Sequence, residues 1–180
     1  MKIQLIRHAS LLIEMNGSTI LVDPMLSDAQ ALDPTANTVP VLRNPLVSLP
    51  SHVTLEALKQ VDAVFVTHTH RDHFDEAAIE LLPKDITLFC QPEDADKIST
   101  HGFSNVTAIA DTLVWNGIHI KRTSGQHGRG EIGEKMGPVS GFIYEAASEP
   151  SLYITGDTVW CPEVQEACAA QSDVVIAFSG

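Results

Sequence analysis

Short apolar stretches separated by polar punctuation run the length of the chain, and their period changes along it. Residues 2–7, 10–15 and 18–22 read as strands, with Asn16-Gly17 as a two-residue hairpin turn and Asp23-Pro24 as the stop. Ala63-Val64-Phe65-Val66 is apolar throughout and rich in β-branched residues, the pattern of a short buried strand. Helices are predicted at 54–60, where Thr54 is a cap, at 75–82, at 92–101 and at 162–170. Pro92-Glu93-Asp94 suits a helix start, with proline and acids in the first turn. Further strands are expected at 86–89, 104–109, 112–115, 118–124, 139–146, 151–155 and 173–178, with Asn116-Gly117 as a second hairpin turn. Strands and hairpins mixed with intervening helices predict an α/β (α+β) fold with a mixed sheet, in one domain over residues 1–180. Residues 24–52 hold five of the ten prolines and read as one long connection, serving as a substrate-covering flap or an oligomer contact.

Candidate chemistry is concentrated where the buried strand ends. Thr67-His68-Thr69-His70-Arg71-Asp72-His73-Phe74-Asp75 follows it directly. If the extended backbone persists through Thr69, His68 and His70 project to one side. Asp72 and His73 follow just before a helix, so three imidazoles and a carboxylate gather at one strand-to-helix turn. That donor set suits a borderline-soft divalent metal. Two later segments offer more donors. Gly125-Gln126-His127-Gly128 follows a strand, and His127 reads either as a surface-loop histidine or as a ligand reaching inwards. Ile154-Thr155-Gly156-Asp157-Thr158 ends an apolar strand in an aspartate, either a turn residue capping its own backbone or a metal carboxylate.

The totals narrow the partners. The net charge is −12 and the eleven basic residues are scattered, which argues against nucleic acid, whose affinity rests on Lys and Arg meeting phosphates. A small anionic substrate remains compatible, because a metal supplies local positive charge. Cys90, Cys161 and Cys168 form no Cys-x-x-Cys and read as reduced thiols. The N-terminus has no signal-peptide pattern, and no apolar run approaches the ~20 residues that cross a bilayer. The expectation is a cytoplasmic protein without a membrane partner, free to form a homo-oligomer.

His68-x-His70-x-Asp72-His73 after an apolar strand resembles the signature of the metallo-β-lactamase superfamily of metal-dependent hydrolases. Arg7-His8-Ala9-Ser10, and the segment from Met136 to Phe142, resemble its lactonase-like branch, which includes ascorbate-6-phosphate lactonase. The resemblance implies a four-layer αββα sandwich with a metal site at the sheet edges. It implies that His68, His70 and His127 hold a first metal with an open position. Asp72, His73 and Asp157 would hold a second, with Asp157 bridging the two. Zn2+ is the expected metal, one or two ions per chain, with Mn2+ or Fe2+ as alternatives. Asp72 and Asp157 would be catalytic, the activated water attacking an ester, lactone or phosphoester of a small anionic substrate while Asp72 delivers a proton to the leaving group. His8 would lie near the site, and Trp160 would either stack on substrate or pack inside; Arg129 and Lys135 are candidates to meet an anion.

The chain departs from the pattern in one respect. The superfamily supplies a further histidine to the second metal, whereas no histidine follows His127 and the sequence stops at Gly180. A domain lacking its C-terminal strand and helix is therefore expected. The second site would then be completed by water or by another subunit, or left incomplete. Two other functions use the same scaffold: an iron-dependent oxygenase or oxidoreductase, and a non-enzymatic metal- or ligand-binding protein. Diiron oxidoreductases of the superfamily carry glutamate at the place of His70, so histidine there favours hydrolysis.

Overall fold

The computed structural model describes residues 1–35, 39–169 and 172–178. Residues 36–38 of the long connection, residue 170 of the last expected helix and the terminal Gly180 lie outside the described residues.

Two mixed sheets form the frame. The first runs β1(Lys2–Arg7), β2(Ser10–Met15), β3(Ser18–Val22), β4(Ala63–Val66), β5(Thr87–Cys90) and β6(Val106–Ala108), in that spatial order. β1 to β3 are an antiparallel meander, and β3 to β6 are parallel. The second sheet has the order β11(Val174–Phe178), β10(Leu152–Asp157), β9(Ser140–Ala146), β8(Ile118–Ser124) and β7(Thr112–Trp115). Only β10 and β11 are parallel there. Both Asn-Gly turns adopt positive φ at both residues, which matches the twist of the strands they join. β4 is buried at every position because it is flanked by parallel neighbours and covered on both faces.

Three apolar layers make this a four-layer sandwich. Leu11, Ile13, Phe65 and Phe89 of the first sheet meet Ile120, Phe142, Tyr144 and Ile154 of the second. Phe65 lies at their centre, with ring centroids 4.7 Å from Phe89, 5.1 Å from Tyr144 and 5.7 Å from Phe142. Truncating such a residue to alanine costs about 3–5 kcal/mol. The outer face of the first sheet packs under α1(Leu55–Leu58), α2(Glu76–Leu81) and α3(Pro92–Thr100). The outer face of the second meets α5(Pro162–Ala169) through Ile143, Tyr153, Val164 and Ala167. A further helix, α4(Glu131–Met136), stands between the strands predicted at 118–124 and 139–146, where the sequence pattern predicts no element. Its glycines at 130, 133 and 137 hide it from propensity, and none of its residues is buried. No helix among the described residues is long and apolar enough to cross a membrane.

The proline-rich connection is folded on itself. Leu32 and Asn44 exchange two backbone hydrogen bonds of 2.7 and 3.0 Å, and the Gln30 amide donates to Pro45 at 2.8 Å. Both ends are gathered by Arg7, whose side chain is buried. Its guanidinium donates to the carbonyls of Met25 (2.8 Å), Val47 (3.0 Å) and Ser27. Burial lowers the Arg7 pKa, and the charges of Asp75 and Asp28 oppose that shift. Replacing Arg7 with methionine keeps the bulk but strands three carbonyls. The expected cost is about 3 kcal/mol, measured by denaturant titration, with faster proteolysis between residues 24 and 47.

Candidate metal centre

Four strands end at one edge of the sandwich and deliver the site. Asp23 follows β3, Thr67 and His68 follow β4, His127 follows β8, and Asp157 closes β10. His70 and His73 share the turn after β4, which closes with the His73 and Phe74 amides donating to the His70 carbonyl at 2.9 and 2.8 Å. Asp75 then caps α2 by accepting from the Ala78 amide at 2.8 Å, while its other oxygen accepts from the Ser27 amide and hydroxyl.

Two groups of donors converge. His68, His70 and His127 place one ligand atom each within 4.8 Å of one another, and so do His68, His73 and Asp157. The Asp157 carboxylate stands between the groups, 3.3 Å from His73 Nε2 and 3.5 Å from His127 Nε2. Asp72 falls in neither group and lines the adjoining cleft, half-buried. Of the second set expected from sequence, His73 and Asp157 fall in one group, with His68 as its third member, and Asp72 lines the cleft beside them. His8 sits at a positive φ between β1 and β2, its Nε2 accepting a 3.4 Å hydrogen bond from the Leu46 amide. Burial lowers its pKa, and the charge of Asp72 acts against that.

The tautomer of His68 follows from its surroundings. Thr67 Oγ1 donates its single proton to Asp23 Oδ2 at 2.8 Å. Towards His68 Nδ1, 3.1 Å away, the hydroxyl therefore accepts, which puts the ring proton on Nδ1 and leaves Nε2 bare. Nε2 is buried and has no hydrogen-bond partner. Burial holds the His68 pKa far below the ordinary histidine value, and the neighbouring His73 and His70 push it the same way. A buried, neutral, unpaired ring nitrogen facing two more histidines is what a divalent cation would satisfy.

His73 behaves differently. Burial pulls its pKa down, but the Asp23 and Asp157 carboxylates outweigh that and raise it to about 10. Asp157 is pushed up by burial, yet its hydrogen bond with His73 holds it below the usual carboxylate value. Burial lowers His127, with Asp157 opposing.

Asp23 is the functional residue that sequence reading passed over as a strand stop. Fully buried, it accepts from the Thr67 amide and hydroxyl at 2.8 Å each, and from His73 Nδ1 at 2.9 Å. The clue was its place directly after a buried strand, in the same pattern that marks Asp157. Loops are brought together just as closely on the other side. The Gln126 amide donates to Thr158 Oγ1 at 2.9 Å, and the Val159 amide to the Gln126 carbonyl at 2.9 Å. Gly125 permits this, since a Cβ there would lie 2.6 Å from Thr158 Oγ1. Gly156, at φ +66°, lets β10 pass the Ser140 carbonyl, where a Cβ would collide.

A cleft of about 710 Å³ is lined by His70, Asp72, His127 and Asp157 together with Trp160, Ile132 and Met136. Thr35 and Arg71 also line it, so the long connection contributes to the cleft. Trp160 is 63% exposed there, not packed inside. Arg129 and Lys135 are not among the lining residues.

The Beta-lactamase superfamily domain matches residues 2–178. The chain belongs to this family. Over 183 residues it is 39% identical to the UPF0173 protein YddR of Bacillus subtilis, covering 100% of this chain and 72% of that one. Among solved structures it is similar to an isothiocyanate hydrolase from Delia radicum gut bacteria, at TM-score 0.89 and 38% identity over 97% of this chain and 70% of the other. A protein of Veillonella parvula described as a possible metal-dependent hydrolase gives TM-score 0.90 and 34% identity, covering 96% and 69%. The two-sheet architecture is that of the metallo-β-lactamase fold.

The Asp23 bracket generates a test. Asp23→Asn keeps the shape but weakens the acceptor that orients His73 and, through Thr67, His68. Metal affinity measured by chelator competition is expected to fall about 10–100-fold, whereas Thr67→Ser, which keeps the hydroxyl, stays near wild type. Unchanged affinity in Asp23→Asn would show that these rings are oriented by something else.

Proposed function

We propose that the chain is a metal-dependent hydrolase whose catalytic ion is held by His68, His70 and His127, with His73 and Asp157 framing a second position. The observation that carries this reading is the buried, unpaired Nε2 of His68 in a group with His70 and His127 whose donor atoms lie within 4.8 Å of one another. Imidazole and carboxylate donors suit zinc first, with manganese and iron compatible. When bound, a divalent ion lowers the pKa of water from 15.7 to about 7 and polarises an electrophile.

The remaining work falls to the chain's own groups. Asp157, between His73 and His127, orients the attacking water and accepts its hydrogen bond. Asp72 faces the cleft and is positioned to pass a proton to the leaving group. The Thr67–Asp23 pair keeps His68 in the ligating tautomer throughout. Esters and lactones, the chemistry of the lactonase-like branch, present an electrophilic carbon that this arrangement can use. An isothiocyanate presents one as well, and a structural neighbour at 38% identity is described as an isothiocyanate hydrolase. Isothiocyanates are therefore the first class to assay, followed by lactones, esters and phosphoesters.

Purified protein is expected to carry metal by elemental analysis and to hydrolyse at least one of these classes. Chelation should abolish turnover and added Zn2+ or Mn2+ restore it. His68→Ala or His127→Ala should lower kcat/KM by at least about 100-fold, since removing a direct donor exceeds the loss seen for its supporting partners. Turnover that survives chelation and both substitutions would overturn the assignment.

A further inference from the structure

The substrate side of the cleft has a chemical character that the metal donors do not determine. Three large apolar side chains stand exposed on its wall: Ile132 at 68%, Trp160 at 63% and Met136 at 39%. Single exposed hydrophobic residues are ordinary. Three that line one cleft beside a donor cluster form a patch that a ligand would cover.

This wall is fixed to the metal donors from both directions. α4 rests on Gly128, the residue after His127: a Cβ on Gly133 would lie 2.7 Å from the Gly128 carbonyl, so only glycine permits that approach. The Trp160 loop is tied to the residue before His127 by the bond from the Val159 amide to the Gln126 carbonyl. Ile132, Met136 and Trp160 are thus held at set distances from His127, as a positioning surface for a reacting group must be.

The charges of the cleft point the same way. Among its described lining residues Arg71 is the sole Lys or Arg, against two carboxylates, Asp72 and Asp157. Arg71 Nη2 already donates to the carbonyls of Asp33 at 2.6 Å and Pro34 at 3.3 Å. No other Lys or Arg among the described lining residues is placed to pair with an anionic substituent away from the metal donors.

We propose that the substrate is uncharged and carries an alkyl or aryl group, which packs on Trp160, Ile132 and Met136 while its electrophilic carbon faces the histidines. This rests on the hydrolase reading for its setting and departs from the anionic substrate expected from sequence. The three residues set specificity; the chemistry stays with the donors.

Two measurements keep this separable from hydrolysis itself. In a homologous series of neutral substrates, kcat/KM should rise about fourfold per added methylene until the group outgrows the wall. Analogues ending in a carboxylate should fall below their neutral counterparts. Trp160→Ala and the pair Ile132→Ser with Met136→Ser should flatten the series. Independently, Trp115→Phe leaves Trp160 as the single tryptophan. Titration of that variant with unreactive n-alkyl and benzyl alcohols should shift Trp160 emission to the blue, more tightly for longer chains, with or without metal. That response without any hydrolysis would uphold the apolar site and reject the hydrolase reading. Hydrolysis with a flat chain-length series, a preference for carboxylate-bearing analogues, or no Trp160 response would overturn the apolar site alone.

Discussion

A carboxylate sealed from water must find its hydrogen bonds inside the protein, and Asp23 finds those of its two oxygens in the histidine-bearing turn. Its two oxygens take the Thr67 amide, the Thr67 hydroxyl and the His73 ring, while its own amide donates to the Phe65 carbonyl at 2.9 Å. The residue sits at φ +46°, and its carbonyl accepts from Ser10 Oγ at 2.6 Å. One residue, through its backbone and its carboxylate together, therefore stitches β2, β3 and β4 to the histidine loop. It also dictates the tautomer of His68 by occupying the threonine proton. The hydrophobic sandwich brings four strand ends to one edge; this bracket turns that edge into a set of aimed nitrogen atoms.

Much of this was legible in the chain because the signals were local. β4 announces itself by four consecutive apolar residues, the Asn-Gly pairs fix their hairpins, and Asp75 caps the helix that follows the histidines. His68, His70 and His73 lie within six residues, so any fold that placed β4 in a sheet would gather them. His127 and Asp157 became candidates through the family resemblance; their places after or at the end of a strand left each of them open.

The remainder depended on long-range contacts that no local pattern records. Asp23 and Thr67 are 44 positions apart, and the strand end that Asp23 shares with Asp157 does not reveal that partner. α4 was hidden by glycines that are there to approach Gly128, not to break a helix. Trp160 illustrates the same limit from the other side: an aromatic near a ligand is as often packed as presented, and only the arrangement of the loops after β8 and β10 leaves it at the cleft. Trp160, Ile132 and Met136 beside the histidines and carboxylates give the site a division of labour between apolar surface and polar atoms. Such a division is common in pockets that orient a small molecule by a few polar contacts and bind it by apolar area.

The central claim is that His68 Nε2, His70 and His127 converge on a metal. The most direct measurement is anomalous diffraction from crystals grown with Zn2+, collected on both sides of the zinc absorption edge. The account predicts a peak within about 2.0–2.1 Å of one nitrogen from each of these three histidines, with His68 bonded through Nε2. A peak located elsewhere, or a zinc ion that leaves His68 Nε2 unbonded, would contradict it.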